Sequence, residues 1–238
     1  MARDGLHTGR NPLRFAFVGH SFVTRFNRTL LKQTERRVIP ELYLPHDLSL
    51  DDHIGYILSE GVSGLKINQL YTVIDRVSDK SKTKYKAPLD AIVVDCGSND
   101  LTSRQCDIDT LVNNMITIAN YARIGHDVKL VIFCPVLRRG KCREVSPQTF
   151  EKRMHAFNEK LKMAATNSPG MSFFMFRGFW QEAEGGQLPI SSWSEDLIHP
   201  GYRYKNDPNH PGFKKYKRNI RDCMQTAIAM LRRATSER

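Results

Sequence analysis

No stretch of the chain offers an apolar run of membrane-spanning length, and the polar segment from Met1 to Pro12 lacks the apolar core of a secretion signal. Cysteine supplies no framework either. The five cysteines, Cys96, Cys106, Cys134, Cys142 and Cys223, are odd in number and scattered, and no CxxC or Cys/His spacing suits zinc. They read as reduced thiols, which leads us to expect an intracellular, cytoplasmic protein. Acidic residues are in deficit, 25 against 36 Lys and Arg, leaving a net charge of +11 that favours nucleic acid, anionic surfaces or acidic substrates. There is no internal repeat and no low-complexity tract, so solenoid and fibrous architectures are excluded. What remains is a 238-residue chain with 40% hydrophobic residues, enough for one substantial core.

The stretch Phe15-Ala16-Phe17-Val18-Gly19-His20-Ser21-Phe22 organises the reading. Four apolar residues suit a strand buried on both faces, and Gly19 permits a sharp exit from it. Phe22, Phe26 and Leu30 follow at helical spacing, with Val23 and Leu31 beside them. Ser21 therefore stands at a helix N-terminus, where unpaired amides and the helix dipole favour negative charge. An N-cap serine is the plainer reading of the same position.

Further along, Val38–Leu44 reads as a second extended segment, Leu89–Cys96 as a buried strand ending in Gly97-Ser98-Asn99-Asp100, and Val128–Cys134 and Met171–Phe176 as later strands. Helices are predicted from Leu65 to Val77 after Gly64, from Asp107 or Asp109 to about Ala122, after Ser146-Pro147, and, after the segment that ends at Pro211, in a last stretch carrying Phe213, Tyr216, Ile220, Met224, Ala227 and Leu231. Alternating strands and helices favour a parallel sheet covered on both faces, with ligands at the carboxyl ends of the strands. His46, Asp47, Asp51, Asp52 and His53 form a polar cluster that could be offered as a metal site, but no helical or hairpin spacing fixes them together. The tyrosines and basic residues from Tyr202 to Arg221 could hold RNA or DNA by stacking and phosphate contacts, although Phe213 and Tyr216 fit the core stripe of the last helix better. Trp180 and Trp193 fit either a substrate pocket or packing of the long loop from Arg177 to Pro211.

Acyl transfer needs a nucleophile, a base, a group that orients the base, and donors for the tetrahedral oxyanion. Ser21 can attack, while the amides of Ser21 and Gly64 and the side chain of Asn99 can hold the oxyanion. Two stretches offer a base with its carboxylate: Asp196-Leu197-Ile198-His199-Pro200 and Asp207-Pro208-Asn209-His210-Pro211. Asp207 before Pro208 also suits a type I turn, so Asp196 and His199 are favoured over Asp207 and His210.

In this order, Gly19-His20-Ser21, Gly64, Gly97-Ser98-Asn99-Asp100 and Asp-x-x-His-Pro resemble the four blocks of the SGNH hydrolase superfamily, the GDSL-like lipases and esterases. The resemblance covers residues 14–232, between a tail of residues 1–13 and a short end of residues 233–238. It implies an α/β fold, a flavodoxin-like three-layer α/β/α sandwich with a five-stranded parallel sheet, and a serine esterase acting on a small-molecule ester without metal or cofactor. A catalytically silent module of the same fold that binds RNA or DNA is the alternative. His20 departs from the family, which usually has aspartate there. More loosely, Arg177-Gly178-Phe179-Trp180 and Lys215-Tyr216-Lys217-Arg218-Asn219-Ile220-Arg221 resemble esterase-like domains of animal genomes and retrotransposon reading frames.

Overall fold

The computed structural model describes residues 12–34, 42–43, 48–50, 53–179, 196–200 and 207–236. Strand β1, Leu13–Gly19, forms the middle of the sheet because its side chains are apolar on both faces. Phe15 and Phe17 point into one apolar layer, Ala16 and Val18 into the other. Each fully buried phenylalanine contributes roughly 2 kcal/mol by removal of its ring from water.

β1 is flanked by parallel strands β3 (Ile54–Gly61) and β4 (Ala91–Asp95), and the sheet continues through β5 (Leu130–Phe133) to β6 (Met171–Phe173). A two-residue strand β2, Leu42–Tyr43, closes the other edge antiparallel to β3. The order is β2-β3-β1-β4-β5-β6, so the five parallel strands have the flavodoxin-like arrangement, with the strand order reversing between β1 and β4. Helices α1 (Ser21–Thr34) and α5 (Pro211–Ser236) cover the face of Phe15 and Phe17. Helices α2 (Leu70–Tyr85), α3 (Ile108–His126) and α4 (Pro147–Thr166) cover the other. The result is the three-layer α/β/α sandwich.

The second parallel strand differs from the one expected. Val38–Leu44 contributes only the Leu42–Tyr43 edge among the described residues, and Ile54–Gly61 lies beside β1 instead. Gly55, Ser59 and Glu60 interrupt the apolar pattern of that segment, and the fully buried Ser59 is tolerated because its hydroxyl donates to Asn27 Oδ1 at 2.8 Å. Gly64 leads not directly into an α-helix but into a 3₁₀ turn, Ile67–Gln69, that precedes α2. Asp107 caps α3 by accepting the amide of Asp109, and Ser146 caps α4 by accepting that of Thr149. Helix α5 continues past residue 232 to Ser236.

Candidate active site

Three strand ends are stitched together at the carboxyl edge of the sheet. Gly19 is in register with both Gly61 and Asp95. The Val62 amide donates to Gly19 O at 2.9 Å, and the His20 amide to Asp95 O at 3.1 Å. A side chain at Gly19 would stand 2.0 Å from that Asp95 carbonyl, so the approach of the two backbones requires glycine. The chain turns from β1 directly into α1, and Ser21 is its first residue.

Ser21 Oγ lies 2.7 Å from His199 Nε2, and His199 Nδ1 lies 2.9 Å from Asp196 Oδ2. The other oxygen of Asp196 accepts the amides of Ile198 at 3.0 Å and His199 at 3.2 Å, which ties the carboxylate to its own loop. Leu197 adopts φ 53, a left-handed conformation that costs a branched side chain of order 1 kcal/mol. Its carbonyl is held by the amide of Gly140 at 2.7 Å, while Ile198 packs on the apolar layer beneath α1 and α5. Burial lowers the pKa of His199 below its ordinary 6.5; Asp196 opposes the shift, and the cations of Arg25 and Arg139 add to it. His199 is therefore neutral at pH 7 and able to accept a proton.

Asn99 and Gly64 meet at the same edge. Asn99 Nδ2 donates to Leu65 O at 2.9 Å, which spends one of its two N–H groups. Its Oδ1 accepts from Arg139 Nη2 at 3.0 Å, so both contacts fix which way the amide faces. The Asp100 carboxylate accepts the Ile67 amide, anchoring the segment after Gly64 to the turn after β4; burial pushes its pKa up to about 6. Gly64 has φ +80 and open space where a side chain would stand. At the start of α1 the amides of Phe22, Val23 and Thr24 are all taken by His20, whereas that of Ser21 is engaged by none of the described residues.

Asp207 and His210 serve the start of α5. Asp207 Oδ1 accepts the Asn209 amide at 2.8 Å, and the buried His210 accepts the Gly212 amide at Nδ1 at 3.0 Å while its carbonyl takes that of Lys214. It is Asp196 and His199 that are brought to Ser21.

No family model and no curated protein matches the sequence. Solved structures do. A GDSL-like lipase from Bacteroides thetaiotaomicron superposes with a TM-score of 0.58 at 15% identity, over 90% of this chain and 88% of that one. A member of the lipolytic G-D-S-L family from Veillonella parvula gives 0.58 at 16% identity, over 88% and 97%. A carbohydrate esterase family 3 protein from Talaromyces cellulolyticus gives 0.55 at 14% identity, over 91% and 98%. The chain has the SGNH hydrolase fold.

His20, the residue before Ser21, is buried within the turn. Its Nδ1 accepts the Phe22 amide at 3.3 Å, which leaves the proton on Nε2, 3.4 Å from Asp95 Oδ1. Burial drives its pKa well below 6.5, so the ring stays neutral. Asp95 accepts from the Tyr216 hydroxyl, whereas His20 Nε2 makes no hydrogen bond among the described residues, and burial pushes the Asp95 pKa up to about 7. A polar cluster of Tyr216, Asp95 and His20 thus underlies the serine turn.

Two residues escaped the reading of the sequence. Arg25, one helical turn after Ser21, donates from Nη2 to Asp196 Oδ2 at 2.9 Å. Arg139 reaches Asn99 from the loop after β5. The i, i+4 spacing of Ser21 and Arg25 was the available signal for the first. His53 contacts Arg232 Nη2 at 2.9 Å, and His46, Asp47, Asp51 and Asp52 lie outside the described residues; among those described, no cluster of three His, Cys, Asp or Glu could hold a metal. All five cysteines are free thiols. No described helix is long and apolar enough to cross a membrane. Phe213 and Tyr216 are buried, Trp180, Trp193 and Tyr202 lie outside the described residues, and the side chain of Asn219 joins the two segments singled out last by accepting the amide and donating to the carbonyl of Arg177.

Proposed function

We propose that the chain is a serine hydrolase that cleaves a carboxylic ester. Ser21 Oγ attacks the ester carbonyl while His199 Nε2 takes its proton, and Asp196 holds the tautomer and steadies the imidazolium that forms. The carbonyl oxygen becomes an oxyanion received by the amides of Ser21 and Gly64 and the remaining N–H of Asn99. Collapse expels the alcohol, which takes the proton from His199. Water then attacks the acyl-Ser21 ester as it gives a proton to His199, and collapse releases the acid while His199 returns that proton to Ser21 Oγ.

The observation that carries this reading is the hydrogen-bonded line from Ser21 Oγ through the neutral His199 ring to Asp196, 2.7 Å and 2.9 Å. A capping serine has no need of a histidine so oriented. The fold alone does not decide chemistry. The named neighbours, a lipase, a lipolytic protein and a carbohydrate esterase, accord with it.

The test is hydrolysis of a short neutral ester by the wild type, His199→Ala and His210→Ala, each checked for folding by circular dichroism. His199→Ala should lose several orders of magnitude and His210→Ala should keep most of the activity. The opposite pattern would move the base to His210 and its carboxylate to Asp207.

A further inference from the structure

Arg139 carries more charge than its visible contacts use. It lies in the loop 134–146 after β5, between the Asn99 turn and the segment of Asp196 and His199, to which its neighbour Gly140 is bonded. The residue is 8% exposed, its guanidinium lies 5.7 Å from the centre of the Phe150 ring, and its Nε is buried without a hydrogen-bond partner. Burial lowers its pKa to about 10, which still leaves it a cation at neutral pH. Arg25 and Arg138 each pair with a carboxylate, Asp196 and Glu151. Among the described residues no carboxylate lies within ion-pair distance of Arg139.

A buried cation with no carboxylate in ion-pair contact is costly even with the fields of Asp196 and Asp95 favouring its charge, and aligning the Asn99 amide uses one of its five N–H donors. A neutral donor would align Asn99 without that cost. Resting on the hydrolase reading above, we infer that Arg139 recognises an anionic group on the substrate, so that the ester cleaved carries a carboxylate or phosphate close to its scissile carbonyl. The planar fork of a guanidinium suits either group by paired hydrogen bonds. Arg139 then has two tasks, positioning Asn99 and selecting the anion.

Two ester pairs separate these tasks. One sets 4-methylumbelliferyl hemisuccinate against the butyrate, with the anion on the acyl side; the other sets 4-acetoxybenzoate against its methyl ester, with the anion on the leaving alcohol. Loss of Asn99 positioning lowers both members of a pair alike, so the ratio of their kcat/KM values reports the anion contact. In at least one pair, Arg139→Met should lower the anionic-to-neutral ratio about 10- to 100-fold, and Arg139→Lys should restore part of it. Equal ratios in the wild type and Arg139→Met for both pairs would overturn the inference.

Binding of succinate and 4-hydroxybenzoate to Ser21→Ala, with and without Arg139→Met, gives a readout independent of turnover. If none of the four esters is cleaved but one anion binds in an Arg139-dependent way, the hydrolase reading falls and the anion site stands. If no ester is cleaved and neither anion binds, the inference is overturned as well.

Discussion

Asp95 is buried beneath the serine turn with a carboxyl pushed up to about 7, and that position makes the stability of the protein fall as pH rises. Unfolded, the group titrates near 3.8. Between these values the folded chain retains a proton that the unfolded chain has released, so stability is lost progressively across the window and is flat on either side. At about 1.4 kcal/mol per pH unit, the loss is roughly 4 kcal/mol. Asp95→Asn keeps the size of the side chain and an acceptor for the Tyr216 hydroxyl but removes the titration. Urea denaturation of both proteins at a series of pH values from about 4 to about 8 gives the difference in unfolding free energy, in which contributions from Asp90, Asp100 and the other acids cancel. Relative to the wild type, the variant should gain up to roughly 4 kcal/mol across this range. A difference that does not change with pH would refute the argument that burial, outweighing the Tyr216 hydrogen bond and the pull of the Arg139 cation, keeps Asp95 protonated.

Asn99→Ala should lower kcat on a short ester by roughly 10²- to 10³-fold with the fold intact, as removal of one oxyanion donor does; full activity would remove Asn99 from the site. Arg25→Met removes a cation that depresses His199, so the acid limb of kcat/KM, which in the wild type lies below 6.5, should move to higher pH. An unmoved limb, or one shifted to lower pH, would count against the electrostatic role of Arg25. Turnover of a small neutral ester should vary little between low and moderate salt, because the groups that act on it are local, and a steep loss would point to long-range charge in the reaction itself.

The turn at Ser21 was legible because strand, glycine and helix follow one another within eight residues, each with its own local signal. Asn99 was legible for the same reason, and the loop of Asp196 and His199 because both partners lie within four residues. Strand β3 was not, since Gly55, Ser59 and Glu60 break its pattern and the bond that makes the burial of Ser59 tolerable comes from Asn27, on another element. Arg25 and Asp196 are 171 residues apart, and Asn99 and Arg139 are 40 apart; no spacing rule links them until the sheet is built. The choice between His199 and His210 likewise depended on tertiary structure. Both follow an Asp-x-x spacing, but one faces Ser21 and the other closes the start of α5. Of the two apolar residues between Asp196 and His199, Ile198 packs on the core, while Leu197 docks through its carbonyl.

The central claim is that Ser21 is a nucleophile activated by His199. The direct measurement is treatment of the folded protein with a fluorophosphonate, followed by peptide mass spectrometry to locate the adduct. The account predicts a single adduct on Ser21, absent from Ser21→Ala and strongly slowed in His199→Ala. An unlabelled Ser21 in protein shown to be folded, or an adduct on another residue, would contradict it.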